Sequence, residues 1–276
     1  MNLSVVHDVH MVINLVHRFV YFVPEAAEEY AAVGVTGAGG YFGSRSAPMG
    51  AVPDEVIIAT FYNFSPRAVT ASMPGVWDEA SPESLQAARF RVVGRAMQRV
   101  GVELSTEQIA EARALIDPVV AALDFGGKPL AGANAGVALP DDPMVALWQQ
   151  VTVVREWRGD VHIAVLVTNE LGPCECLALQ VGTGRFPARI AQATRRWTEA
   201  EWAAAHVQLA ERGWMATDGT VTPAGAEERE RIEAETDRLC APIWQPIGDS
   251  GAARLSELIL PIHTAMDAAG IYAVLA

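Results

Sequence analysis

Helix-start chemistry recurs from one end of this sequence to the other. Pro24-Glu25, Pro53-Asp54-Glu55, Ser65-Pro66, Ser81-Pro82-Glu83, Ser105-Thr106-Glu107, Asp142-Pro143 and Thr198-x-x-Glu201 each set a capping side chain, a first-turn proline or a first-turn acid ahead of a helical run. Residues 3–20 repeat Val6, Val9, Ile13, Val16 and Val20 at helical spacing. Such punctuation predicts a mainly α chain. The hydrophobic fraction of 51% over 276 residues is enough to bury a core.

The C-terminal third adds one β signal. Helix 198–212 should stop at Gly213, and Trp214 to Thr217, the turn pair Asp218-Gly219, and Thr220 to Thr222 read as a short hairpin before a charged helix begins at Pro223. Helix, two-stranded wing, helix is a winged-helix pattern. The expected architecture is two winged-helix-like halves with short β-hairpin wings around a shared apolar interior. Residues 1–124 form a degenerate N-terminal half, 125–140 a Gly- and Pro-rich crossover, and 141–276 a C-terminal half with its wing at 214–222.

Val221-Thr222-Pro223-Ala224-Gly225 resembles the segment after the wing of MarR-type winged-helix proteins. Tyr41-Phe42-x-x-Arg45-x-Ala47-Pro48-Met49-Gly50, Phe61-Tyr62-Asn63-Phe64, Arg158-Gly159-Asp160-x-His162, Glu175, and Arg196-Trp197-Thr198 with Trp202 together resemble the SalK-like helix-turn-helix family of actinobacteria. The resemblance implies a helix-turn-helix scaffold and, through that scaffold, a ligand-responsive regulator as one functional class. Fold similarity alone does not establish DNA binding.

Charge argues against that class. The net charge is -13, and the candidate recognition helix 198–212 carries Glu199, Glu201, Glu211 and Arg212, with Gln208 and His206 as its remaining polar candidates. The wing tip, Asp218-Gly219, has no basic residue, so nucleic acid is disfavoured as a partner. The segment 1–21 is broken by His7, Asp8, His10, Asn14, His17 and Arg18, which argues against both a signal peptide and a membrane span. Cys174, Cys176 and Cys240 give neither a disulfide framework nor a four-thiolate zinc site, and fit buried thiols in a reducing cytoplasm.

Two motifs are decoys. Val35-Thr36-Gly37-Ala38-Gly39-Gly40-Tyr41-Phe42-Gly43 imitates a dinucleotide-binding turn, but a helical run precedes it where a strand is needed. Lys128, the only lysine, cannot supply a Tyr-x-x-x-Lys pair. Arg158-Gly159-Asp160 reads as a helix break, with Asp160 capping the next helix. No cofactor is therefore expected.

The remaining chemistry is polar residues in apolar surroundings. His17, Tyr41, His162 and Glu175 form the candidate acid–base set, with His162 set in the run 161–167 and open to pairing with Glu175 or Tyr41. Arg45, one helical turn after Tyr41, is the candidate anion binder. Asn63, Phe22 and Trp148 complete the ligand-binding set. His7, His10 and His17 share a helix face, His10 and His17 within roughly 20°, which keeps a metal or haem site open as a further alternative. The reading that results is a small-molecule-binding protein, with a small apolar metabolite as partner, no membrane association and a homodimer compatible. Its expected activity is cofactor-free acid–base chemistry of the isomerase, lyase or cyclase type, in specialised metabolism.

Overall fold

A computed structural model describes residues 1–184 and 186–275. Nearly every start signal is used. Asn2 caps α1 (Leu3–His17), and a 3-10 turn, Arg18–Tyr21, leads to α2 (Pro24–Ala31). Next come α3 (Ala38–Ser46), α4 (Asp54–Thr60), α5 (Pro66–Thr70), α6 (Val76–Glu79) and α7 (Pro82–Val100). The Ser105–Gln108 capping box opens α8 (Thr106–Ala121), and α9 (Pro129–Ala135) forms inside the Gly-rich stretch. Asp142 accepts from the amides of Met144 and Val145 to open α10 (Pro143–Thr168). The chain ends with α11 (Pro173–Gly182), α12 (Ala188–Arg195), α13 (Glu199–Glu211), α14 (Pro223–Cys240) and α15 (Gly248–Ala268).

Helix α10 is the axis of the fold. Its residues 145–154 are buried all round, as a helix enclosed by neighbours must be, and it packs on α1, α8, α9 and α14. Helix α15 lies along α1 and α8. One core runs through α1, α7, α10 and α15, centred on Trp148, Trp244, Phe19 and Leu147. A second core joins the end of α10 to α11, α13 and α14 through Leu166, Leu179, Leu209 and Ile232.

The winged architecture is not what forms. Among the described residues there is no strand or sheet, and the expected wing at 214–222 reduces to one antiparallel bridge between Met215 and Val221. The segment is used up at both ends. Thr222 Oγ1 donates to Gly213 O and accepts from Gly225 N to start α14, while Asp218 accepts from Thr220 N to close the turn. Between those ends the backbone pairs only through Ala216 N to Thr220 O at 2.7 Å and Thr222 N to Trp214 O at 3.0 Å, too short a run for a strand, and the N-terminal region is likewise built from helices and turns.

The predicted break at Arg158-Gly159-Asp160 is also corrected, because α10 passes through it without interruption. A helical glycine costs about 1 kcal/mol, and its neighbours are tied to other helices. Arg158 Nη2 reaches Glu233 at 2.7 Å and Asp237 at 2.8 Å, both on α14. Asp160 Oδ2 accepts from Ala131 N at 3.0 Å, so it caps α9 across space and not a helix of its own. The Gly-rich segment 34–50 is a packing device. A Cβ at Gly40 would fall 2.7 Å from the Tyr30 ring, so α3 can lie against Tyr30 only without one. No helix of the described residues is long and apolar enough to cross a membrane.

Candidate functional site

Helical spacing assembles a buried polar cluster where α1, α3, α7 and α10 meet. His17 and Tyr21 stand four residues apart at the end of α1, as do Tyr41 and Arg45 on α3. Trp148, Thr152 and Glu156 follow one face of α10. The His17 ring stacks on Trp148 with centroids 5.2 Å apart and planes at 9°. Thr152 Oγ1 gives its proton to Trp148 O at 2.9 Å, so toward His17 Nδ1, 3.0 Å away, it acts as acceptor. That assigns the proton to Nδ1 and leaves Nε2 to accept from Tyr21 Oη at 2.7 Å. Arg89 Nη2 in turn donates to Tyr21 Oη at 3.3 Å. Burial, and after it the Arg155 charge, holds His17 neutral well below the ordinary imidazole value, and Glu156 opposes this without reversing it.

Glu156 anchors the other half of the cluster. Arg45 donates to it through Nε at 3.3 Å and through Nη2 at 3.1 and 3.0 Å, and Arg155 Nη1 adds a bond at 2.6 Å. Burial would raise its carboxyl, but Arg155 and Arg45 outweigh burial and keep it ionised well below the usual carboxylate range. Arg45 Nη1 also donates to Tyr41 Oη at 3.1 Å. Burial would push the Tyr41 phenol up; Arg45, Arg195 and Arg155 more than offset it and hold the phenol below its usual value.

The Glu156 half of this cluster, with Tyr21, forms one wall of a cavity of about 790 Å³, whereas His17 and Trp148 are fully buried and do not line it. Tyr41, Arg45 and Glu156 face it from one side, Asp160 and His162 from α10, and Arg195 from the end of α12. Burial lifts the Asp160 carboxyl to about 6, with Glu156 adding to the rise against the bond from Ala131 N. Among the described residues no acid pairs with Arg195, which is held by its other surroundings. Its guanidinium lies 4.1 Å from the Phe64 ring centre and 5.0 Å from that of Phe186, its Nη1 donates to Thr194 Oγ1, and its buried Nε has no partner. Arg18, over the Tyr272 ring at 4.5 Å, also has a buried Nε without a partner.

The backbone that carries Arg195 is clamped. Ser65 N donates to Arg195 O at 3.0 Å, Ser65 Oγ and Arg67 Nη1 both donate to Arg196 O, and Trp197 Nε1 donates to Asn63 O. Arg196 itself sits at φ 56°, a left-handed conformation uncommon outside glycine. The turn between α12 and α13 is thereby pinned to the start of α5, and the pinning delivers Arg195 to the cavity.

Of the residues singled out from the sequence, His17, Tyr41, Arg45 and Trp148 come together, and Phe22 and Asn63 line the same cavity. His162 lines it too, but its Nδ1 pairs with Thr236 Oγ1 at 3.0 Å instead of with Glu175 or Tyr41, and burial lowers it to about 4. Glu175 lies elsewhere, accepting from Gly172 N at 2.8 Å to close the first turn of α11. The histidines of α1 separate: His7 pairs with Asp237, His10 Nε2 accepts from Trp244 Nε1, and His17 joins the cluster. Among the described residues no three His, Cys, Asp or Glu side chains gather as a metal-ligating group. Sequence reasoning missed Tyr21, Arg89, Arg155, Glu156, Asp160 and Arg195. The only Glu of α10, set in the middle of the helix, was the available signal for Glu156.

Helices α12 and α13 are joined by the turn at 196–198 and precede α14. The exposed face of α13 presents Glu199, Ala203, Val207, Gln208 and Glu211. A model of a helix-turn-helix family matches residues 6–273. The chain belongs to this helix-turn-helix family. No curated protein and no solved structure matches it. The family match spans α1, α3, α7 and α10 as well as α12 to α14, so in this helix-turn-helix protein the cavity lies within the matched region.

Proposed function

We propose that this helix-turn-helix protein binds a small organic acid in its internal cavity and transfers protons on it without a cofactor. The observation that carries the reading is Arg195, a cation with its Nε buried, facing the cavity with no carboxylate partner among the described residues. A buried charge left unpaired is costly. A ligand carboxylate at the cavity-facing edge of the guanidinium would complete it, with the guanidinium of Arg18 on the same cavity as a second donor.

Two titratable groups on the cavity are pushed in opposite directions. Asp160 is raised to about 6, which suits a general base near neutrality, while Tyr41 is lowered and bonded to Arg45, which suits a hydroxyl donor to a developing oxyanion. Asp160 would take a proton from carbon and Tyr41 would supply one to oxygen. Isomerisation, elimination and cyclisation all use that pair of roles. His17 is a positioning residue, since both of its nitrogens are engaged by Thr152 and Tyr21.

A ligand-responsive regulator is the second reading, favoured by the family match and by the MarR-type and SalK-like resemblance of the sequence. The same cavity would then be a sensor site. Calorimetry with phenylacetate on wild type and Arg195→Gln tests the binding step; removing a hydrogen bond to a charged group should cost roughly tenfold to a hundredfold in affinity. Equal affinity in both proteins overturns the carboxylate reading. Deuterium uptake at the carbon beside the bound carboxylate, lost in Asp160→Asn, separates the enzyme from the sensor.

A further inference from the structure

A second chamber of about 660 Å³ adjoins the polar cavity, and the two share Tyr21, Phe22, Tyr41, Phe64, Phe186 and Arg195 as walls. Beyond that shared wall the chemistry changes. The chamber's own lining includes Ala38, Phe42, Ala68, Ala71, Ile190 and Ala193, with the exposed Arg196 as its one further cation and no acid among the described residues. Two of its hydroxyls are already spent, because Ser72 Oγ donates to Ala68 O at 2.6 Å and Thr194 Oγ1 to Ile190 O at 2.6 Å. Small side chains from α5 and α12 leave the space open, and aromatic rings close the end nearest Arg195.

We propose that this chamber seats an apolar arm of the ligand, so that the protein takes an organic acid with an alkyl or aryl arm, its carboxylate at Arg195 on the boundary between the two spaces. The inference rests on the carboxylate-binding reading of the polar cavity. Arg195 is the only charged side chain among the walls that the two spaces share, so an acid bound there has one side toward Asp160 and the other toward the alanines of α5 and α12. The arm gains from leaving water, and the reacting carbon stays on the polar side.

The test is a binding series of ω-phenylalkanoates, from phenylacetate to phenylhexanoate, on wild type, Ala71→Phe, Ala193→Phe and Arg195→Gln. Ala71 and Ala193 are exposed at the chamber rim, so a larger side chain fills the space without entering the core. Wild-type affinity should rise about fourfold per methylene until the chamber is full. Both rim variants should lose that gain, and Arg195→Gln should weaken every member alike. Affinity independent of length, or a gain that survives in both rim variants, overturns the arm; with Arg195→Gln still weakening phenylacetate, the carboxylate reading stands. A length dependence indifferent to Arg195→Gln overturns the carboxylate reading, and no binding of any acid overturns both.

Discussion

Arg45 on α3 and Glu156 on α10, 111 residues apart in the chain, meet in a forked pair with Arg45 Nη2 at 3.1 and 3.0 Å from the two carboxylate oxygens. The side chain of Glu156 is 2% exposed and also receives Arg155. This pair fastens the Gly-rich helix to the axis of the fold. Glu156→Gln leaves two cations without their counter-charge and should destabilise the protein by about 3–5 kcal/mol in urea denaturation. Adding Arg45→Met to that variant should cost much less than Arg45→Met alone, a non-additivity that a double-mutant cycle reads directly. Additive costs would mean that the two side chains are not coupled.

Buried histidines set the dependence of stability on pH. His10, His17 and His162 are all held below the unfolded value of 6.5, chiefly by burial, so each takes up a proton on unfolding. Their lowered folded values give stability that is present above pH 6.5 and lost below it, at about 1.4 kcal/mol per pH unit for each group. Asp160 runs the other way. Its folded value of about 6 exceeds the unfolded 3.8, so it adds stability as pH falls from 6 toward 4 and offsets one histidine. Stability should therefore fall between pH 7.5 and 5, and His17→Gln should make the decline shallower. An unchanged slope in His17→Gln would show that His17 is not held neutral.

Asp160→Asn should separate affinity from chemistry. A carboxylate ligand meets the Asp160 charge in the same cavity, so wild-type binding should tighten as pH falls through about 6 and Asp160 is neutralised. The asparagine variant should bind tightly at every pH, by roughly fivefold or more over wild type at pH 8, while proton exchange on the ligand drops by about 10²–10⁴-fold. Weaker binding together with intact exchange would remove Asp160 from the role of base.

Local chemistry was legible in the sequence, and long-range pairing was not. Ser81, Ser105, Asp142 and Thr198 announce their helices because a cap is decided within four residues. Asp218-Gly219 marks a turn but not how far pairing runs beyond it: Ala216 bonds to Thr220 and Thr222 to Trp214, and Gly213 and Thr222 are already committed to helix ends. The break at Gly159 was overread for a related reason: Arg158 and Asp160 bond to α14 and α9, and those partners hold the helix through the glycine. At the site, Tyr41 and Arg45 could be paired by their spacing, whereas Glu156 and Arg195 take their meaning from α3 and from the Phe64 and Phe186 rings.

The exposed face of α13 yields a prediction about nucleic acid. With Glu199 and Glu211 exposed and no Lys or Arg between residues 199 and 211, it offers phosphate no cation. Mixed-sequence duplex DNA should not be retained at about 50 mM salt, where counterion release favours even non-specific binders. Retention there would return the regulator reading to first place.

Arg195 is the centre of the proposed site, and a crystal structure with phenylbutanoate bound tests it. The expected result is the carboxylate within about 3 Å of a guanidinium nitrogen of Arg195, the phenyl arm among Ala71, Ala193 and Phe42, and Asp160 facing the carbon beside the carboxylate. A ligand bound elsewhere, or an Arg195 side chain turned out to solvent with the cavity closed behind it, would contradict the claim that this helix-turn-helix scaffold is built around an internal site for an organic acid.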